Sequence, residues 1–330
     1  MRQTGRAAWD DWRWQLRHAV TEVSPEVCEY GLTAPAAESV HRRYPLKLTP
    51  YALAQLSRDN PDDPLNRLAL PSAAELLPEP GMVADPFAEK TRASCSYGLK
   101  RRFPDRVLVM AHDQCAMACR HCTRKGLLKG AEVVRTPAQL ASAVAWVKAH
   151  PEVREVLLSG GDPLLLADSR ILSFVRVFAR LPQIDAVRIG TRVPVTLPMR
   201  ITPSLARKLG AFKKVWVNTQ FNHVREITPE AAAACARLVD AGIPVSNQCV
   251  LLKGVNDSVE ALFDLCTGLQ RVRVRPYYVF QCDPVEGISH FRVPLRKARK
   301  LEQELAVRVG GLALPRFVMD LPGSLRKTPI

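Results

Sequence analysis

The sequence predicts an α/β fold, a partial (β/α)6 TIM-type barrel with a helical appendage at its N-terminus, on three observations. From about residue 104 onward, short β-branched runs alternate with helical patterns, which is how parallel strands joined by crossover helices read. Before residue 100 that alternation is missing, and proline-rich connectors break the chain. The chemically capable residues fall at the carboxyl ends of the expected strands, where barrels and open parallel sheets gather their sites. A chain of 330 residues with 47% hydrophobic and 24% charged composition can bury a core of that size.

Taken in order, residues 1–100 form the appendage. It opens on the amphipathic Trp9-Asp-Asp-Trp-Arg-Trp-Gln-Leu-Arg17 and continues through Asn60-Pro-Asp-Asp-Pro64 and Leu77-Pro-Glu-Pro-Gly81. Residues 101–330 form the core. Its expected strands are Val107 to Ala111, Glu155 to Ser159, Ala186 to Thr191, Val215 to Thr219, Val245 to Leu251 and Val272 to Val279. The expected helices are Pro137 to Ala149, Arg170 to Arg180, Ser204 to Gly210, Pro229 to Asp240, Ser258 to Leu269 and Leu295 to Val309, which completes six βα units.

Composition narrows the class. No apolar run approaches the ~20 residues a membrane helix needs, and the first residues lack a signal-peptide core, so no membrane partner and a cytoplasmic location are expected. The nine cysteines lack disulfide-scaffold spacing: Cys28, Cys95, Cys235, Cys249, Cys266 and Cys282 are scattered, as in a reducing compartment. The net charge of +15 is spread, and only 6% of residues are aromatic, which reads as a solvated basic surface and not a nucleic-acid face.

The chemistry centres on Cys115-x3-Cys119-x2-Cys122, directly after the first core strand. Three thiolates this close can hold an iron-sulfur cluster and leave one iron open, whereas a zinc ribbon needs a second pair and a fully ligated cluster a fourth cysteine. This is the signature of radical S-adenosylmethionine (SAM) enzymes, in which the amino and carboxylate groups of SAM fill the open iron. At the next strand end, Ser159-Gly160-Gly161-Asp162 lets backbone amides approach a ligand, here a SAM contact. Arg124 is kept near the cluster by connectivity and suits a substrate carboxylate, while Arg102 and Arg106 flank the first strand as phosphate receivers. Asp283 and Asp320 each follow an apolar run and together make a negative pocket for an ammonium. Lys327, in a terminal loop rich in glycine and proline, offers an amine that can form a Schiff base with pyridoxal 5'-phosphate (PLP).

With these residues in place, the chain resembles the lysine 2,3-aminomutase family. The likeness runs through Asp11-Trp-Arg-Trp-Gln15, Asn60-Pro-Asp-Asp-Pro64, Arg102-Phe-Pro-Asp-Arg106, the cluster loop, Leu157-Leu-Ser-Gly-Gly-Asp162, Arg188-Ile-Gly-Thr-Arg192, Asn218-Thr-Gln-Phe-Asn-His223, Asn247-Gln248, Arg275-Pro-Tyr-Tyr278, Gln281-Cys-Asp283 and Lys327-Thr-Pro329. The resemblance implies that Cys115, Cys119 and Cys122 ligate a [4Fe-4S] cluster, that Lys327 holds PLP, and that Asn247 and Gln248 serve a cofactor. It also implies that Arg124 takes the substrate carboxylate and that Asp283 and Asp320 take the side-chain ammonium of lysine. The implied reaction is radical migration of the amino group of L-lysine from C2 to C3, giving β-lysine, with a flavodoxin or ferredoxin as electron donor and a homo-oligomer compatible with the chain. Two departures stand out. Ser258 replaces a zinc cysteine of longer family members, whose cysteine-bearing extension also lies beyond Ile330, so no structural zinc is expected; Gln220 replaces a histidine. Other readings are β-lysine synthesis for elongation factor P, an aminomutase for another cationic amino acid, and, from a different class, a nucleic-acid-modifying radical SAM enzyme.

Overall fold

The computed structural model describes residues 5–86, 98–128 and 135–330, so Cys95 lies outside the described residues. Nine strands form one sheet among them: β1 (Leu99–Phe103), β2 (Arg106–His112), β3 (Glu155–Gly160), β4 (Ala186–Gly190), β5 (Val215–Thr219), β6 (Val245–Leu251), β7 (Arg275–Gln281), β8 (Arg316–Met319) and β9 (Thr328–Pro329). Each strand lies beside its sequence neighbour, in the order β1 through β9. Strands β2 to β8 run parallel, and β1 and β9 pair antiparallel at the two edges.

The crossover helices begin where the sequence says they should. Thr136, Thr202 and Thr228 each stand before a proline at the first helical position, and each side-chain oxygen accepts an early backbone N–H of the helices Pro137–Lys148, Pro203–Gly210 and Pro229–Asp240. Ser258 does the same for Val259–Arg271, its Oγ accepting from the Ala261 amide at 3.2 Å. The helix Asp168–Ala179 starts two residues earlier than expected, and Leu295–Ala306 completes the set.

Strand β6 shows how one face meets the helices and the other the barrel interior. Val245, Asn247, Cys249 and Leu251 are buried in alternation, three of them in the main apolar core, while Gln248 and Val250 turn the other way, into the barrel. That core also holds Phe174, Phe178 and Phe221, each fully buried and contributing about 1.5–3 kcal/mol over an exposed position.

Three differences from the sequence reading have physical causes. The strand expected over 272–279 starts at Arg275, because Arg273 takes a left-handed turn (φ 58°) after the preceding helix. Strand β1 was hidden by the polar run Lys100-Arg-Arg102, and β8 is only four residues long.

The appendage consists of short helices, among them Trp12–Arg17, Ala34–Arg43, Pro50–Ala54 and Pro64–Ala69. A second apolar core joins it to the barrel: Val27, Leu46, Leu48, Leu53 and Leu68 pack with Met117 of the cysteine loop and with Cys282, Val285 and Phe291 beyond β7. Trp12 lies under the buried guanidinium of Arg200 at 4.6 Å from its ring centre.

Candidate active site

A cavity of about 410 Å³ opens at the carboxyl ends of the parallel strands. Cys115, Cys119, Cys122, Arg124, Ser159, Gly160, Gly161, Asp162, Arg102, Arg106, Gln248, Asp283, Asp320 and Lys327 all line it. Asn247 does not. It sits one residue from Gln248 on the opposite strand face, where its amide accepts from the Phe221 N–H at 2.7 Å and donates to the Phe221 carbonyl at 3.0 Å. The structure therefore gives Asn247 a turn-fixing place in the helix layer, away from any ligand in the cavity.

The three cysteines follow β2 on one loop, and all three line the cavity. Burial, then the neighbouring Cys122 thiol, pushes Cys115 up, and burial followed by Cys119 does the same to Cys122. Donors meet the sulfurs from the protein side: Arg192 Nη1 lies 2.6 Å from Cys119 Sγ, and the Arg124 amide lies 3.3 Å from Cys122 Sγ. Three cysteines of one loop on one cavity, two of them with N–H donors at the sulfur, suit a cluster better than free thiols, since such donors stabilise the charge on metal-bound sulfur. Arg192 is itself fixed by Glu226 and by the Gln220 carbonyl, 3.0 Å from its Nε.

The glycine turn departs from its expected use. The Gly161 N–H donates to the His112 carbonyl at 2.6 Å and the Asp162 N–H to the Gln114 carbonyl at 2.7 Å, so these amides tie β3 to the cysteine loop and do not face a ligand. Glycine is required for that approach: a Cβ at Gly160, whose φ is +118°, would overlap the His112 carbonyl, and one at Gly161 would overlap Gln114. The Asp162 carboxylate is likewise engaged internally, accepting from Thr191 Oγ1 at 2.7 Å and from the Arg192 amide at 2.7 Å, which joins the ends of β3 and β4.

Across the cavity, Lys327 Nζ stands 2.7 and 2.5 Å from the two carboxylate oxygens of Asp320, and Arg102 approaches the same carboxylate at 3.6 Å. Burial, then the adjacent Asp320 charge, pushes Asp283 up to about 7. Burial draws Lys327 below the usual lysine range, with Asp320 opposing. The two aspartates thus share one negative pocket with a primary amine already in it.

Several lining residues were not assigned a role from the sequence. Arg188 Nε, Asn218 Nδ2 and Thr219 Oγ1 are buried polar atoms with no hydrogen-bond partner among the described residues, as is Nε of Arg106, the expected phosphate receiver, 3.4 Å from Asp105; all four residues face the cavity. A register shift between β6 and β7 sets the consecutive Tyr277 and Tyr278 both on the cavity, with hydroxyls 3.1 Å apart. The available signal was their type: polar residues inside or closing otherwise apolar strands. Basic side chains with unfilled donors beside a buried amine fit a phosphate-bearing aldehyde such as PLP.

Among known proteins, the family model described as Radical SAM superfamily matches residues 110–266. The L-lysine 2,3-aminomutase of Acetoanaerobium sticklandii is 41% identical over 325 residues, covering 98% of this chain and 78% of that protein. The glutamate 2,3-aminomutase of Clostridioides difficile is 33% identical, over 98% of this chain and 76% of that protein. Among solved structures, Streptococcus suis SuiB bound to S-adenosylmethionine superposes with a TM-score of 0.51 over 66% of this chain and 51% of that one, at 16% identity, a likeness of fold alone.

Proposed function

The chain belongs to the lysine 2,3-aminomutase family of radical SAM enzymes, and from that premise we propose that it converts L-lysine to β-lysine. As a member of that family it is an isomerase that uses a [4Fe-4S] cluster, SAM and PLP. When bound, the cluster and SAM supply a carbon-centred radical, and PLP supplies the conjugated system that carries the migrating amino group. Cys115, Cys119 and Cys122 would ligate the cluster, and Lys327 would hold PLP with Arg102 and Arg106 near its phosphate.

The observation that carries the substrate is the pair Asp283 and Asp320, with the Lys327 ammonium on Asp320 and the Asp283 carboxylate beside it. A pocket lined by two carboxylates, one of them already on a primary ammonium, suits another ammonium and repels the side-chain carboxylate of glutamate. Arg124, which lines the same cavity two residues after Cys122, would take the α-carboxylate through a bidentate pair. With both ends of lysine held, the chain fixes C2 and C3 relative to the cluster, which is its share of the catalysis.

Anaerobic incubation with SAM, PLP, dithionite and lysine, followed by chiral amino-acid analysis, tests this: β-lysine is expected, and no β-lysine despite an intact cluster and bound PLP overturns it. Lys327→Ala is expected to lower turnover by on the order of 10⁴-fold with the cluster's EPR signal unchanged. A flavodoxin or ferredoxin replaces dithionite in our reading, because the net charge of +15 suits an acidic electron carrier; substituting either protein in the same assay tests it. We place the enzyme in the cytoplasm, where an oxygen-labile cluster persists. No helix among the described residues is long and apolar enough to cross a membrane, and cell fractionation tests the location.

A further inference from the structure

Beneath the cysteine loop lies a group of buried charges that the reaction does not use. Glu75, at 1% exposure, belongs to the short turn Ala73–Leu76 of the appendage; Arg120 and Lys125, at 1% and 3%, belong to the loop. Arg120 grips Glu75 with two nitrogens, Nε to Oε1 at 2.9 Å and Nη2 to Oε2 at 2.5 Å. Lys125 Nζ donates to Glu75 Oε2 at 2.7 Å, to the Arg120 carbonyl at 3.1 Å and to the Gly287 carbonyl at 2.7 Å, so all three of its donors are placed. Backbone bonds strap the same loop to the appendage, from Ala118 to Lys47 at 2.9 Å and from Arg120 to Leu68 at 3.0 Å.

Position in the chain gives this group its meaning. Arg120 lies between Cys119 and Cys122, and Lys125 follows three residues after Cys122. Holding these two side chains on one anion fixes both ends of the segment that presents Cys122, and Cys119 adjoins its first residue. The charges also fail to cancel: two cations share one carboxylate, leaving one positive charge in a dry interior. The Lys125 amide donates to the Cys122 carbonyl at 3.2 Å, so the two residues share one turn. An apolar trio would hold the loop to the appendage as well, whereas an excess cation also acts on any electron that arrives next to it.

We propose that Glu75, Arg120 and Lys125 form a positioning device for the cluster: Glu75 holds the loop in the shape that converges the sulfurs, and the net positive charge of the trio sets how readily the cluster accepts an electron. The proposal rests on the cluster reading of Cys115, Cys119 and Cys122. A reduced cluster carries one more negative charge, so a cation nearby raises its midpoint potential, and removal of that cation lowers it.

The test is an EPR-monitored redox titration of the reconstituted full chain. Lys125→Gln leaves Arg120 on Glu75 and is expected to lower the midpoint, by about tenfold in the reduction equilibrium or about 59 mV for a one-electron couple. Glu75→Gln is expected to raise it by a similar amount, and the Glu75→Gln, Lys125→Gln double variant, whose net charge equals that of the wild type, to return it. A midpoint in Lys125→Gln equal to that of the wild type overturns the proposal, and this arm decides alone where Glu75→Gln does not fold. Wild-type protein that takes up no cluster refutes the underlying cluster reading instead.

Discussion

Two groups of buried charges in this barrel are treated in opposite ways. Under the cysteine loop, burial works against the Glu75 carboxylate, yet Arg120 and Lys125 outweigh it and hold its pKa below the usual range. At the cavity, burial and Asp320 push Asp283 up to about 7. The first carboxylate receives its cations from the fold; the second faces another carboxylate, and the one amine nearby sits on Asp320. A buried charge completed by its own chain is scaffolding, and one left against a like charge is a seat for a cation from outside.

The sharpest way to break this contrast is to compare stabilities. Glu75→Ala strands Arg120 and Lys125 without their anion and is expected to cost about 3–5 kcal/mol, read as a lower denaturation midpoint in urea. A loss under about 1 kcal/mol would place the trio among dispensable pairs. Asp320→Asn should raise the lysine KM about 10- to 100-fold, as expected for a desolvated charge pair reduced to a neutral contact. An unchanged KM would remove Asp320 from the recognition of the ammonium.

The smallest effect is a pH dependence with a definite sign. The folded pKa of Asp283, about 7, lies above its unfolded value of about 3.9. Its contribution to stability is therefore full below the unfolded value and is lost as pH rises through about 7. Asp283→Asn should leave the ligand-free protein more resistant to heat at pH 8 than the wild type, with little difference at pH 5. Substrate binding runs the other way, since the ammonium needs the ionised form: the lysine KM should rise about tenfold from pH 8 to pH 6. Melting curves and KM values that ignore pH would show Asp283 to be an ordinary carboxylate, and the contrast with Glu75 would lapse.

The sequence made many of the cavity-lining groups legible because their chemistry is local. Three cysteines at x3 and x2 spacing and two aspartates after apolar runs carry their meaning in residue type and position. The Thr-Pro starts of three helices are local in the same way, their capping complete within four residues. What stayed hidden depended on facing. Asn247 and Gln248 are adjacent in a strand where side chains alternate, so only the assembled barrel decides which of the two sees the cavity. Glu75 was hidden for a similar reason: Ser72-Ala-Ala-Glu75 reads as a capping box, and it is one, with the Glu75 carboxylate also accepting from the Ser72 amide at 2.9 Å. Nothing within ten residues of it announces Arg120 and Lys125. The Gly160-Gly161 turn misled in direction only, since the room that glycine makes is filled by the cysteine loop.

The sheet runs from β1 to β9 without returning to its start, so the barrel wall is a split ring. Across the split, Arg102 of β1 reaches Asp320 at the end of β8, and from its own margin Lys327, next to β9, holds the same carboxylate. The ring is thus closed by an ionic clasp, and the clasp is the same carboxylate that we assign to the substrate. On that assignment the ammonium of the substrate and the cations that close the wall meet on one carboxylate.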